Sequence, residues 1–143
     1  MKNVVIDASV VLKWYLADEE QGERALGLLD GFVKQKIGLL APHLLLYEVL
    51  NGLLLAGRKG RLLQEQIDPA FEGFLALGIL FKDPAPYYAR IIQLGLERSI
   101  TAYDGAYLAL AEGEQVPMIT ADEKLIRLAG KGLVPITSLT EFR

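Results

Sequence analysis

The sequence predicts an α/β fold, a single domain over residues 1–143 built as an α/β/α sandwich around a mostly parallel central sheet. Three observations point there. Short apolar runs of strand length alternate with longer stretches whose apolar residues recur every three or four positions. The segments between strands are long enough for helical crossovers, which return the chain to pair strands in parallel and cover both sheet faces. No internal repeat or low-complexity linker breaks the pattern, and 143 residues of 52% hydrophobic composition suit one compact domain with a substantial core.

Val4 to Asp7 forms the first strand and leads into a helix through Trp14 and Leu16. The acids Asp18 to Glu20 precede a second helix, whose buried face is marked by Ala25, Leu28, Leu29, Phe32 and Val33. "KIGLLAP" is a short second strand stopped by Pro42. From His43 to about Gly57 the density of apolar residues allows strand or helix, and length decides for a helix. "GRKGRL" supplies a turn and a basic rim before a helix from Leu62 to Ala76, and "GILFKDPAP" holds a short strand that ends at Asp83 and two prolines. Tyr87 to Leu96 is helical, as is "SITAYDGAYLALAEGE", with Thr101 as its candidate cap and Tyr103, Ala106, Tyr107 and Leu110 at helical spacing. Val116 to Thr120 and Leu133 to Ile136 are the last two strands, with a helix beginning beyond Asp122.

Two acids stand where an apolar strand ends and a helix begins: Asp7 in "NVVIDASVV" and Asp122 in "VPMITADEKL". Each could simply cap its helix, because a carboxylate accepts from free first-turn N–H groups. In a parallel sheet, however, the same positions line the ligand crevice beyond the carboxyl ends of the strands. Glu48 lies in a helix otherwise dominated by leucine and valine, and a buried carboxylate must be paired, protonated or bound to metal. Asp104 shares a stripe with Leu108 and Ala111, at the edge of a packed face. Glu48 and Asp104 could instead point into solvent. If the four converge, their repulsion raises at least one pKa unless a cation neutralises them. Mg²⁺ or Mn²⁺ suits such an all-oxygen site and would equip it for phosphodiester hydrolysis without a histidine base. Whether one ion or two would bind stays open.

The remaining composition narrows the chemistry. With no Cys and one His, thiolate nucleophiles, disulfides and His-rich zinc sites are excluded. A formal charge of -3 does not resemble a protein that grips duplex through a broad phosphate footprint. No secretory leader or membrane span is indicated, so a cytoplasmic protein is expected.

The strings "VIDASVVLKWYL", "APHLLLYEVLNGLL", "SITAYDGAYLALAE" and "MITADEKLIRLA" together resemble the four acidic blocks of PIN-domain ribonucleases, particularly the VapC-type toxins of toxin–antitoxin pairs. Their order and spacing span nearly the whole chain. The resemblance assigns Asp7, Glu48, Asp104 and Asp122 as catalytic and metal-binding acids, with Ser9 and Thr120 as polar residues beside them and Asn51 one turn beyond Glu48. It further implies Mg²⁺- or Mn²⁺-dependent endoribonuclease activity leaving a 5′-phosphate and a 3′-hydroxyl. RNA is the implied substrate, a VapB-like antitoxin the implied inhibitor and a homodimer the implied assembly. Gly52 and Gly105 stand where members commonly carry alanine, a change expected to loosen the helices.

Two rivals remain. A haloacid dehalogenase-type phosphatase also places an acid after an apolar strand, but its second Asp would fall at Ser9. A PIN-like module that binds RNA or protein without cleaving is the other. Lys13, Arg58, Lys59, Arg61, Lys124 and Arg127 are candidate phosphate contacts, more simply read as solvated charges. Trp14, Tyr15, Tyr47, Tyr103 and Tyr107 suit either packing or base stacking, and the core reading is the stronger for the helix-face tyrosines. His43 reads as a cap or an exposed residue.

Overall fold

A computed structural model describes residues 1–142 of the chain. Five strands form one sheet: β1 (Lys2–Ile6), β2 (Ile37–Pro42), β3 (Leu80–Lys82), β4 (Met118–Thr120) and β5 (Ile136–Ser138). Their spatial order is β3-β2-β1-β4-β5, and every pairing is parallel. Val4, Val5 and Ile6 are all buried, as is every residue of β2 after Ile37, so the central strands are covered on both faces rather than on alternate sides.

The helices are α1 (Ala8–Tyr15), α2 (Gly22–Val33), α3 (Leu44–Arg58), α4 (Gln64–Ala76), α5 (Tyr88–Arg98), α6 (Ala102–Glu114) and α7 (Glu123–Ala129). Seven consecutive residues of α6, Gly105 to Ala111, are buried, because this helix lies against β1, β2 and β4 with α5 on top of it. Helix α1 is held against α2 by packing and by the Trp14 indole, which donates to the Ala25 carbonyl at 2.8 Å. The apolar excess of α3 divides between a buried row, Leu45, Val49, Leu53 and Ala56, and a groove of about 470 Å³ where Leu50 and Leu54 face Ile67 and Phe71 of α4.

The chain builds outward from β1 through β2 to β3, then crosses back through α5 and α6 to lay β4 on the other side of β1. That reversal between β1 and β4 opens a crevice at their carboxyl ends. Asp7 follows β1 directly, and Thr120 is the last residue of β4.

Two expectations are corrected. The last strand starts at Ile136 rather than Leu133, because Pro135 has no N–H for the ladder and offers only its carbonyl, which takes the Met118 N–H at 3.0 Å. Gly52 and Gly105 do not loosen their helices but let them approach: a Cβ on Gly52 would lie 2.5 Å from a Leu12 methyl of α1, and one on Gly105 would lie 3.1 Å from Ile91 of α5.

Candidate active site

Asp7 is the N-cap of α1 and is buried. Its Oδ1 accepts from the Ser9 N–H at 3.1 Å and from the Ser9 hydroxyl at 2.5 Å, while Oδ2 accepts from the Thr120 hydroxyl at 2.5 Å. The two hydroxyls are themselves anchored. Ser9 Oγ accepts from the Ala121 N–H at 2.9 Å, and Thr120 Oγ1 accepts from the Asp122 N–H at 3.0 Å. The end of β1 is thereby sewn to the end of β4, with the Asp7 carboxylate as the knot.

The other acids arrive from three helices. Asp122 is the N-cap of α7 and accepts from the Leu125 N–H at 3.1 Å through Oδ1. Asp104 is the third residue of α6, where the Thr101 cap fixes the first turn by accepting the Asp104 N–H at 3.1 Å. Both carboxylates sit at the positive end of a helix dipole, as Asp7 does. Glu48 projects from the body of α3 and accepts from the Tyr107 hydroxyl of α6 at 2.5 Å. Capping and crevice lining are therefore not alternatives: Asp7 and Asp122 do both, because one oxygen satisfies a helix start while the carboxylate remains at a strand end.

The acids interact. Burial pushes Asp7 up to about 6, against hydrogen bonds from Ser9, Thr120 and the Val10 N–H that pull the other way, and Asp122 adds to the rise. Burial likewise raises Asp104, with Asp122 adding to the rise and Thr101 and Lys124 opposing it. Glu48 is raised by burial and by Asp104, against the Tyr107 hydrogen bond. The phenol of Tyr107 is pushed far above its ordinary value by burial, by its bond to Glu48 and by Asp7 and Asp104, so it stays a neutral donor. Repulsion thus links Asp7 with Asp122, Asp122 with Asp104 and Asp104 with Glu48. Among the described residues no group of three or more histidine, aspartate or glutamate side chains is placed to hold a metal ion as the protein stands. A hard divalent cation fits the donor chemistry, since only oxygen is offered and positive charge offsets the burial, and with it the lesser repulsion, that raises these groups.

Of the remaining candidates, Ser9 and Thr120 hold the Asp7 carboxylate, whereas Asn51 is exposed and its side chain joins no hydrogen bond among the described residues. Tyr47 and Tyr103 overturn the core reading, being 73% and 65% exposed, while Tyr107 is 1% exposed. The reading of Tyr107 as core missed its hydroxyl; the available signal was that a buried phenol requires a partner and that Tyr107 lies three residues beyond Asp104 on one helix face. His43 is exposed, stacked at a tilt 6.0 Å from Phe81, and caps nothing with its side chain. Arg61 is engaged by Asp18 through two hydrogen bonds of 2.8 and 2.9 Å, and Arg58, Lys59, Lys124 and Arg127 are exposed.

The sequence profile of the PIN domain matches residues 4–131. The chain belongs to the PIN-domain family. That membership sets aside the phosphatase rival, and it agrees with the strand order and with the acids at the β1 and β4 ends. Ribonuclease VapC1 of Mycobacterium tuberculosis is 33% identical to this PIN domain over 133 residues, covering 91% of this chain and 93% of that protein. Ribonuclease VapC3 of Pyrobaculum aerophilum is 33% identical over 132 residues, covering 85% and 91%. Among solved structures, VapBC2 from Rickettsia felis bound to a DNA fragment from its promoter superposes with a TM-score of 0.66 at 14% identity, covering 95% of this chain and 98% of that one, a likeness of fold.

Proposed function

We propose that this PIN domain is a divalent-cation-dependent endoribonuclease, the toxin of a VapBC-type pair, with Asp7, Glu48, Asp104 and Asp122 as its catalytic and cation-binding acids. The observation that supports it most is the joining of Asp7 to the end of β4 through Ser9 and Thr120, which sets two carboxylates at the reversal of the sheet with Asp104 and Glu48 coupled to them. The ribonuclease relatives supply the substrate class.

Bound Mg²⁺ or Mn²⁺ would polarise the phosphate, activate water and offset charge on the departing oxygen. The residues of the chain do the rest. Ser9 and Thr120 fix the Asp7 carboxylate in one orientation, Thr101 fixes the turn that presents Asp104, and the Leu125 N–H holds one oxygen of Asp122. Asp7 is buried, so a scissile phosphate must reach into the crevice, which favours unpaired RNA over an A-form duplex.

The partner follows from the same comparison. The Rickettsia felis structure holds VapBC2, and a small antitoxin with a basic side chain near the four acids would compete with the cation directly. A homodimer is the expected assembly without antitoxin, and sedimentation over a range of concentrations tests it. No helix among the described residues is long and apolar enough to cross a membrane.

The deciding experiment incubates antitoxin-free protein with linear and circular RNAs, with and without Mg²⁺ or Mn²⁺, and maps the ends. Cation-dependent opening of the circle with a 5′-phosphate is expected. Binding to RNA without cleavage under any of these conditions would support the non-cleaving module instead.

A further inference from the structure

Tyr107 touches the site without being one of its four acids. It is 1% exposed, its ring lies within the buried stretch of α6, and its single polar atom is spent on Glu48 Oε1 at 2.5 Å, across the gap between α6 and α3. A tyrosine wholly inside a core needs a partner for its hydroxyl, and many such partners are backbone carbonyls. Here the partner is instead a carboxylate on a half-buried helix face, coupled to Asp104 one turn before Tyr107 on the same helix.

Glutamate is the longest of the acidic side chains and has three rotatable bonds, so an untethered Glu48 would lose rotamer freedom whenever a cation bound it. Asp7, Asp104 and Asp122 are short and are held by helix starts; Glu48, in the middle of α3, has no such restraint from its own backbone. A neutral donor on Oε1 supplies that restraint without adding positive charge that would compete with a cation, and it leaves Oε2 available. We propose that Tyr107 is a positioning residue that presents Glu48 to the divalent cation, and so sets cation affinity through Glu48 alone. The inference rests on the reading of the four acids as the cation site.

The test is a double-mutant cycle on Mn²⁺ binding, read without RNA by electron paramagnetic resonance of free Mn²⁺, a method that follows weak as well as tight binding. The proteins are wild type, Tyr107→Phe, Glu48→Ala and the double variant, each checked for folding by circular dichroism. Y107F is expected to weaken Mn²⁺ binding roughly three- to tenfold in the wild-type background, the size expected for lost preorganisation and one hydrogen bond to a charged group. In the E48A background the same change should alter binding less than about twofold, because the residue through which it acts is gone. A purely structural tyrosine would lower the unfolding midpoint and weaken binding equally in both backgrounds, which would overturn the proposal. So would unchanged binding in folded Y107F. If Y107F does not fold, a crystal structure of the wild type with Mn²⁺ takes its place: Glu48 on the ion with its Tyr107 hydrogen bond kept supports the tether, and Glu48 on the ion with that bond broken, or Glu48 off the ion, overturns it. Failure of the wild type itself to bind Mn²⁺ would instead remove the cation site on which the inference stands.

Discussion

Thr120 donates its hydroxyl to Asp7 across 2.5 Å, from the last residue of β4 to the residue that follows β1. Thr120 is fully buried, and the same oxygen accepts the Asp122 N–H. Replacement by valine keeps the shape and removes both bonds. Thr120→Val should cost about 1–3 kcal/mol of stability, since a buried carboxylate and a backbone donor each lose a partner. RNA cleavage should fall with it, and Thr120→Ser should recover much of both. A T120V protein with wild-type unfolding and turnover would show that Asp7 needs no tether from β4.

Asp7 gives the cation-free protein a defined pH dependence. Its pKa of about 6 in the fold lies above the ordinary 3.8, so the folded state holds the proton more tightly. The associated stability is complete below the unfolded value and is lost as pH rises through about 6, a loss of about 3 kcal/mol for a shift of this size. Glu48 and Asp104 are raised as well and act in the same direction. Asp18, lowered by Arg61, is exposed and adds little. With chelator present, the urea midpoint should be higher near pH 5 than near pH 7.5, and Asp7→Asn should flatten the difference. A midpoint that climbs with pH over that range would contradict the burial of an unneutralised Asp7.

Asp104→Asn keeps the shape and the first-turn position while removing the charge. The fold should tolerate it, since the lost helix-dipole interaction, about 0.3–1 kcal/mol, is offset by relief of repulsion from Asp122. Cation affinity should drop at least about tenfold and cleavage with it. Calorimetry with Mn²⁺ and end-mapped cleavage read the two effects, and wild-type values for both would remove Asp104 from the site.

Gly52→Ala should destabilise although alanine is the better helix former, because the added methyl meets the branched end of Leu12. Overpacking of this kind costs about 1–3 kcal/mol, against a gain of about 1 kcal/mol in helix propensity. Shortening the neighbour should restore the loss, so the G52A/L12V double variant is expected to be more stable than G52A alone. Chemical denaturation of wild type, L12V, G52A and G52A/L12V checks this.

The architecture was legible because its period was strong: Val4 to Ile6 and β2 are apolar, and the buried row of α3 recurs at helical spacing, whereas the expected face of α2 holds only as far as Ala25 and Leu28, with Val33 exposed at its end. The four acids were legible as interruptions of that pattern. What stayed hidden depends on distances between segments far apart in sequence. Tyr107 reads as a core residue until α3 is placed opposite α6, and Gly52 reads as a weak helix position until Leu12 is placed against it. Tyr47 and Tyr103 show the converse, since aromatic residues at helical spacing look buried unless the width of the packed face is known. The start of β5 turned on a single missing N–H, that of Pro135.

The parallel pairing of β1 with β4 joins Val5 to Met118 and Ile6 to Ile119, strands separated by most of the chain. Closing a loop that long costs more entropy than pairing β1 with β2, so the β1–β4 contacts are expected to form after those of β1–β2. The β1–β2 half of the sheet, with Asp7 and Glu48 on its following helices, can gather before β4 docks, but Asp7 has no Thr120 and no neighbouring Asp122 until it does. If folding follows this order, the proposed nuclease stays inactive until β4 docks, since Asp7 and Asp122 are joined only through that strand. Refolding followed in parallel by hydrogen exchange of β1–β2 amides and by recovery of RNA cleavage should show protection first and activity afterwards, whereas cleavage appearing together with the earliest protection would remove this built-in delay.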